Sequence, residues 1–191
     1  MPGKIVERSI RLPRGYKSVE AASFLAQFDA LSGSLWQDLA GITAAELAWQ
    51  PRRGTNTIGM LLSHMAIVEV YWMLRATSGY TDAALRRVLG IGVDDDGMPV
   101  PAGGGPPATL KGWKLADFRA LEEKARAFAR RRARALTPAD LDRKFRADRR
   151  NGERRRYNVR WTLYHLLEHY AGHYGQVLLL RHLYRERPRK G

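Results

Sequence analysis

His169 and His173 stand four residues apart in the stretch YHLLEHYAGHYGQ, residues 164–176. On a helix that spacing puts both rings on one face, one turn apart. It is the spacing of a two-pronged metal ligand, as in zinc-binding helices. Steps of four and three carry the pattern through Thr162, Leu166, His169, His173, Gln176, Leu180 and Leu183, a coiled-coil-like seam. Its ends are apolar and its middle is polar, so imidazoles occupy positions where packing calls for leucine. Far upstream, Leu61, His64, Val68 and Tyr71 follow steps of three, four and three. That places His64 on the inward stripe of a second helix.

A buried polar group without a partner costs about 1–3 kcal/mol, and three imidazoles would take much of a stability of about 5–15 kcal/mol. No carboxylate shares the seam to satisfy all three, whereas one cation would. Three histidines leave a coordination position for water or substrate, as in catalytic zinc centres. Imidazole ligands also suit nickel, iron or copper. Against this, a lone inward histidine is usually a satisfied core residue, and pairs four apart arise by chance. His64 is what turns the pair into a candidate set. His165 also pairs with His169 at four residues but falls at the edge of the seam. His182 suits a helix C-terminus, where a positive charge is favourable.

Around this set, Gln176 is placed to hydrogen-bond a ligand or metal-bound water, and Tyr71 to point a hydroxyl into the same space. Glu168 and Glu69 are carboxylates able to orient an imidazole or act as a base, although neither falls on the seam. Arg75, on the stripe of the second helix, and Arg160, at the start of the last, are candidates for binding an anionic substrate; an exposed surface role competes for each.

Four long amphipathic segments must position these residues. Apolar spacings of three and four predict helices over 19–39, about 56–77, about 114–136 and about 160–185. Asn56 is a good N-cap for the second. Short helical turns are expected at GITAAELAWQP, where Thr43 and Glu46 form a capping box, at TDAALRRVLG and at LTPADLDR. The simplest arrangement is an all-α four-helix bundle in one domain, with a long crossover loop between the second and third long helices. That crossover, residues 90–112, is rich in Gly and Pro and contains the triplet Asp94–Asp96. A connection of this length is either a plain crossover or a lid over a site. Asn151-Gly152, between Arg-rich stretches, suggests a small hairpin with a type I′ turn.

The 191 residues suffice for one full-sized core. No apolar run reaches the roughly 18–20 residues of a membrane span, and the N-terminus lacks an apolar signal core, so a soluble, cytoplasmic protein is expected. With no cysteine, disulfides, thiolate ligands and a cysteine nucleophile are excluded; any reacting thiol comes from outside. The net charge is +14, with 26 Arg against 7 Lys, clustered at Arg130–Arg132, Arg149–Arg150, Arg154–Arg156 and the tail RERPRK. Such charge can bind phosphate backbones. However, the runs lack interleaved aromatics and no DNA-reading motif accompanies them, which argues against nucleic acid. A basic stress protein with structural histidines, or a metal-free bundle holding a small ligand, are the competing readings.

LAWQPRRGTNTIGMLLSHMAIVEVYW followed by YNVRWTLYHLLEHYAGHYGQVLLLRHLY resembles the DinB/YfiT-like superfamily of metal-dependent enzymes, over nearly the whole chain. The resemblance implies a four-helix bundle with a three-His centre for a divalent metal (zinc, nickel or iron), the ligands carrying over to His64, His169 and His173. It implies an enzyme acting on a small molecule. Some members are transferases or isomerases that use a low-molecular-weight thiol such as bacillithiol, mycothiol or glutathione; others are hydrolases. Homodimers are frequent among them. The long crossover and the Arg content do not match the family pattern.

Overall fold

The computed structural model describes residues 7–148 and 152–188. They are mostly helical. The order is α1 (Val19–Asp38), α2 (Ala44–Ala48), α3 (Ile58–Thr77), α4 (Asp82–Leu89), α5 (Leu115–Ala135), α6 (Pro138–Asp142), β1 (Lys144–Arg146), β2 (Arg156–Asn158) and α7 (Val159–Glu186), with one 3-10 turn at Ala108–Leu110. Each start has a local cause. Ser18, Thr43, Thr57, Thr81, Thr137 and Asn158 accept a backbone N–H of the first turn of α1, α2, α3, α4, α6 and α7, relieving donors that the helix itself leaves unpaired. The cap of α3 is thus Thr57 rather than Asn56, one residue later than expected.

The long helices pair as α1 with α5 and α7, and α3 with α5 and α7. α3 is the central element. It is apolar on nearly every side, and Ile58, Met60, Leu61, Met65, Ile67, Val70 and Met73 are all buried, as expected for a helix enclosed by others. α3 is as long and apolar as a membrane span, yet most of it is buried inside the protein. The helix is no unbroken apolar run, since Ser63, His64 and Glu69 interrupt it, and a core helix meets the same apolar demand as a spanning one. Gly59 brings α3 close to α5, since a Cβ there would stand 2.8 Å from the Phe118 ring.

α7 buries Val159, Thr162, Leu163, Leu166, Tyr170, Val177 and Arg181. The core stripe therefore follows 163, 166, 170 and 177, whereas Gln176 and Leu183 are exposed. His169 and His173 lie along the border of the stripe, half-buried, because an α-helix of 3.6 residues per turn drifts out of a strict four-and-three pattern.

β1 and β2 pair antiparallel, with Phe145 opposite Tyr157. The expected Asn151-Gly152 turn, the pair Arg149–Arg150 and the last residues of the tail fall wholly or partly outside the described residues.

Candidate metal centre and its cavity

α3 and α7 pack side by side, and this brings His64 to the α7 pair. His169 Nε2 lies 3.2 Å from His64 Nε2 and 3.0 Å from His173 Nε2. One ligand nitrogen from each ring fits within a 4.8 Å cluster. Two of the rings are fixed from behind. His64 Nδ1 donates to Asp96 Oδ2 at 2.8 Å, and His173 Nδ1 donates to Gln176 Oε1 at 2.8 Å. With protons on those Nδ1 atoms, the Nε2 atoms of His64 and His173 present lone pairs inward. The His169 Nε2 between them has at most one proton to share.

Converging lone pairs repel unless a cation joins them. At metal–nitrogen distances of about 2.0–2.1 Å, the edge of a tetrahedral site is about 3.3 Å, close to the two separations observed. The protonation balance agrees. Burial, with the neighbouring imidazoles, pushes His169 down to about 2. Burial also lowers His173, against an opposing pull from Gln176. Both are held neutral, the form that ligates. The donor set therefore fits a divalent ion held by three imidazoles, with Asp96 and Gln176 setting the ring orientations.

Asp96 was not singled out from the sequence. It lies in the crossover, buried at 1% exposure, and its second oxygen accepts from the Met98 N–H at 2.9 Å. Gly97 follows it at φ +72°, where a Cβ would stand 2.9 Å from Pro107; both the left-handed backbone and the close approach call for glycine. The Asp triplet in a Gly/Pro-rich loop was the available signal, but only the fold tells which of its three carboxylates turns inward. The far end of the loop is tied to the connection before α3: Gln50 Nε2 donates to the Gly104 carbonyl at 3.0 Å, and so does the Gly54 N–H at 2.9 Å.

Beside the histidines opens a cavity of about 540 Å³. His64, Tyr71, Arg75 and His165 line it together with apolar and aromatic walls that include Val68, Trp72, Met98 and Trp161. Tyr71 and Arg75 are thus brought to the same space as His64. His165 stacks on Trp161 at 4.6 Å between ring centres, and its Nδ1 lies 3.3 Å from Glu168. Glu168 is exposed and meets His165 rather than the three-His cluster. Arg160 is held by Glu20 and Asp142, away from the cavity lining. Glu69 is buried against Arg126 at 2.8 Å, and burial raises its carboxyl above the ordinary range despite that pairing.

No curated protein matches the chain. A family model does, that of the mycothiol-S-transferases, over residues 23–186. The match spans α3 and α7 with their histidines and the crossover between them. With its helical fold and its three-His cluster, the chain belongs to the mycothiol-S-transferase family, within the DinB/YfiT-like superfamily of metal-dependent enzymes.

Proposed function

We propose that this protein is a metal-dependent S-transferase that joins a low-molecular-weight thiol, mycothiol by family membership, to a small electrophile bound in the cavity. The observation that carries the reading is the three-His cluster, whose His64 also lines a cavity large enough for a small molecule. His64, His169 and His173 hold a divalent ion, zinc, nickel or iron. When bound, that ion supplies the means to keep a thiol deprotonated at neutral pH. The protein has no cysteine, so no thiol of its own competes.

The remaining roles belong to the chain. Asp96 keeps the His64 proton on Nδ1, and Gln176 does the same for His173, so that both rings offer Nε2. Trp72, Trp161, Val68 and Met98 give the space beside His64 apolar walls that suit the body of a small substrate. Tyr71 supplies ring surface to the wall. Within this reading the chain is one domain, a four-helix bundle supported by the pairings of α1, α3, α5 and α7, and it acts in the cytoplasm.

Metal analysis of untagged wild-type protein and of His169→Ala tests the site. About one divalent ion per chain in the wild type and a marked loss in the variant are expected; equal contents would sink the centre as drawn. Transfer of mycothiol to a chromogenic electrophile, abolished by chelator and restored by added metal, tests the reaction.

A further inference from the structure

Arg75 stands three turns along α3 from His64 and lines the same cavity. Its guanidinium lies over the Tyr71 ring, 4.8 Å from the ring centre, and 5.3 Å from that of Tyr80. Its Nε is buried without a hydrogen-bond partner, and no Asp or Glu forms an ion pair with it among the described residues. Other enclosed arginines differ. Arg126 is held by Glu69 and Asp29, and Arg181 by Glu46 and the Ala40 carbonyl.

The acids around the cavity do not fill this gap. Asp96 is committed to His64 and the Met98 N–H, Asp148 to Arg146, and Asp94 has an interaction of its own. Arg75 is thus a cation steadied by two aromatic faces and short of an acceptor. A guanidinium's fork matches a carboxylate, and the stacking fixes its plane beforehand. Between Arg75 and His64 the walls are apolar, formed by Ile67, Val68, Trp72 and Met98. Eleven residues of helix separate the two by roughly 16 Å of rise. Arginine side chains on a helix lean back toward its N-terminus, which shortens that span to the reach of a small extended molecule.

We propose that Arg75 is a carboxylate-binding, specificity-determining residue, and that the cavity takes a small organic acid with an apolar or aromatic body. Its carboxylate pairs with Arg75 and its other end faces the three histidines. The inference rests on the transferase reading only for which end reacts. Mycothiol has no free carboxylate, so the acid belongs to the electrophile, and a thiol-derived acid serves as the contrast.

Trp72 and Trp161 line the cavity, so tryptophan fluorescence quenching reports occupancy in the intact protein. Phenylbutanoate is titrated against its neutral amide, and S-methylglutathione against the neutral S-methyl-N-acetylcysteamine. The wild type is expected to prefer phenylbutanoate over its amide by about tenfold to a hundredfold, the range of a hydrogen-bonded charge pair. Arg75→Met erases that preference and Arg75→Lys keeps part of it. A preference for phenylbutanoate over its amide supports the assignment to the electrophile; one confined to S-methylglutathione overturns it. Equal binding of acid and neutral partner in both pairs, or a preference that survives Arg75→Met, overturns the proposal. Arg75→Lys guards against misfolding, since it keeps the stem and the charge. The preference persists in His169→Ala, so loss of the metal reading alone leaves this result standing.

Discussion

The proton on His64 decides how the three rings present themselves. Asp96, buried and already accepting from the Met98 N–H, holds that proton on Nδ1. Replacing Asp96 by Asn removes the charge and permits the wrong tautomer, so metal affinity should fall about 10–100-fold, as read by competition with a chromophoric chelator. The imidazoles also carry a pH signature in chelator-treated protein. His169 is neutral in the folded state down to about pH 2, and His173 is likewise depressed, while unfolded histidine takes its proton near pH 6.5. The unfolded state therefore binds more protons below pH 6.5, and folding stability should be full above that value and decline as pH falls from it. The limiting slope is ~1.4 kcal/mol per pH unit for each such group, reduced here because both rings are partly open to water. Urea denaturation between pH 5 and 8 reads the slope; a flat profile would contradict the depressed values.

At the scale of elements, the four long helices and three short ones were legible from apolar spacing and caps, because core burial and unpaired first-turn donors leave local signatures in the sequence. What the pattern misjudged was phase. The seam drawn through Gln176 and Leu183 leaves the core, and Tyr170, Val177 and Arg181 take the buried positions instead, since helical drift over 28 residues exceeds what alternating steps of four and three allow. The histidine pair falls on the border of the buried stripe, where its rings still cluster with that of His64. Asp96 and the Arg126 cluster were not legible, since a carboxylate in a loop and an arginine in an Arg-rich helix look like surface. Arg126 joins α5 to α3 through Glu69 and to α1 through Asp29, while Tyr170 of α7 donates to Glu122 of α5 at 3.0 Å. Arg126→Met leaves Glu69 buried without its cation and should cost about 3–5 kcal/mol, a fall in Tm of roughly 6–20 °C for a chain of this size. The double variant Arg126→Met, Glu69→Leu should recover a large part of that loss, because it removes the stranded charge as well.

For the whole molecule, the centre ties two helices that are more than a hundred residues apart in sequence, so an ion bound only by the folded state should stabilise all of it. At a free metal concentration of a hundred times Kd the gain is about 2.7 kcal/mol, a rise in Tm of roughly 5–11 °C, and His64→Ala should abolish it in a thermal shift assay. The Arg runs lack the aromatics and motifs of a nucleic-acid reader, so duplex DNA binding should be weak at physiological salt; tight, salt-dependent binding there would favour the nucleic-acid reading. Asp96 has one more consequence. The crossover that holds the His64 ring also supplies Val93, Met98 and Pro99 to the cavity wall, so one segment touches both guests. Linkage is then reciprocal. A substrate that tightens the crossover should raise the affinity for the ion, and the ion should raise the affinity for the substrate by the same factor. Ion and substrate would then act as mutual effectors through residues 93–99 of the loop.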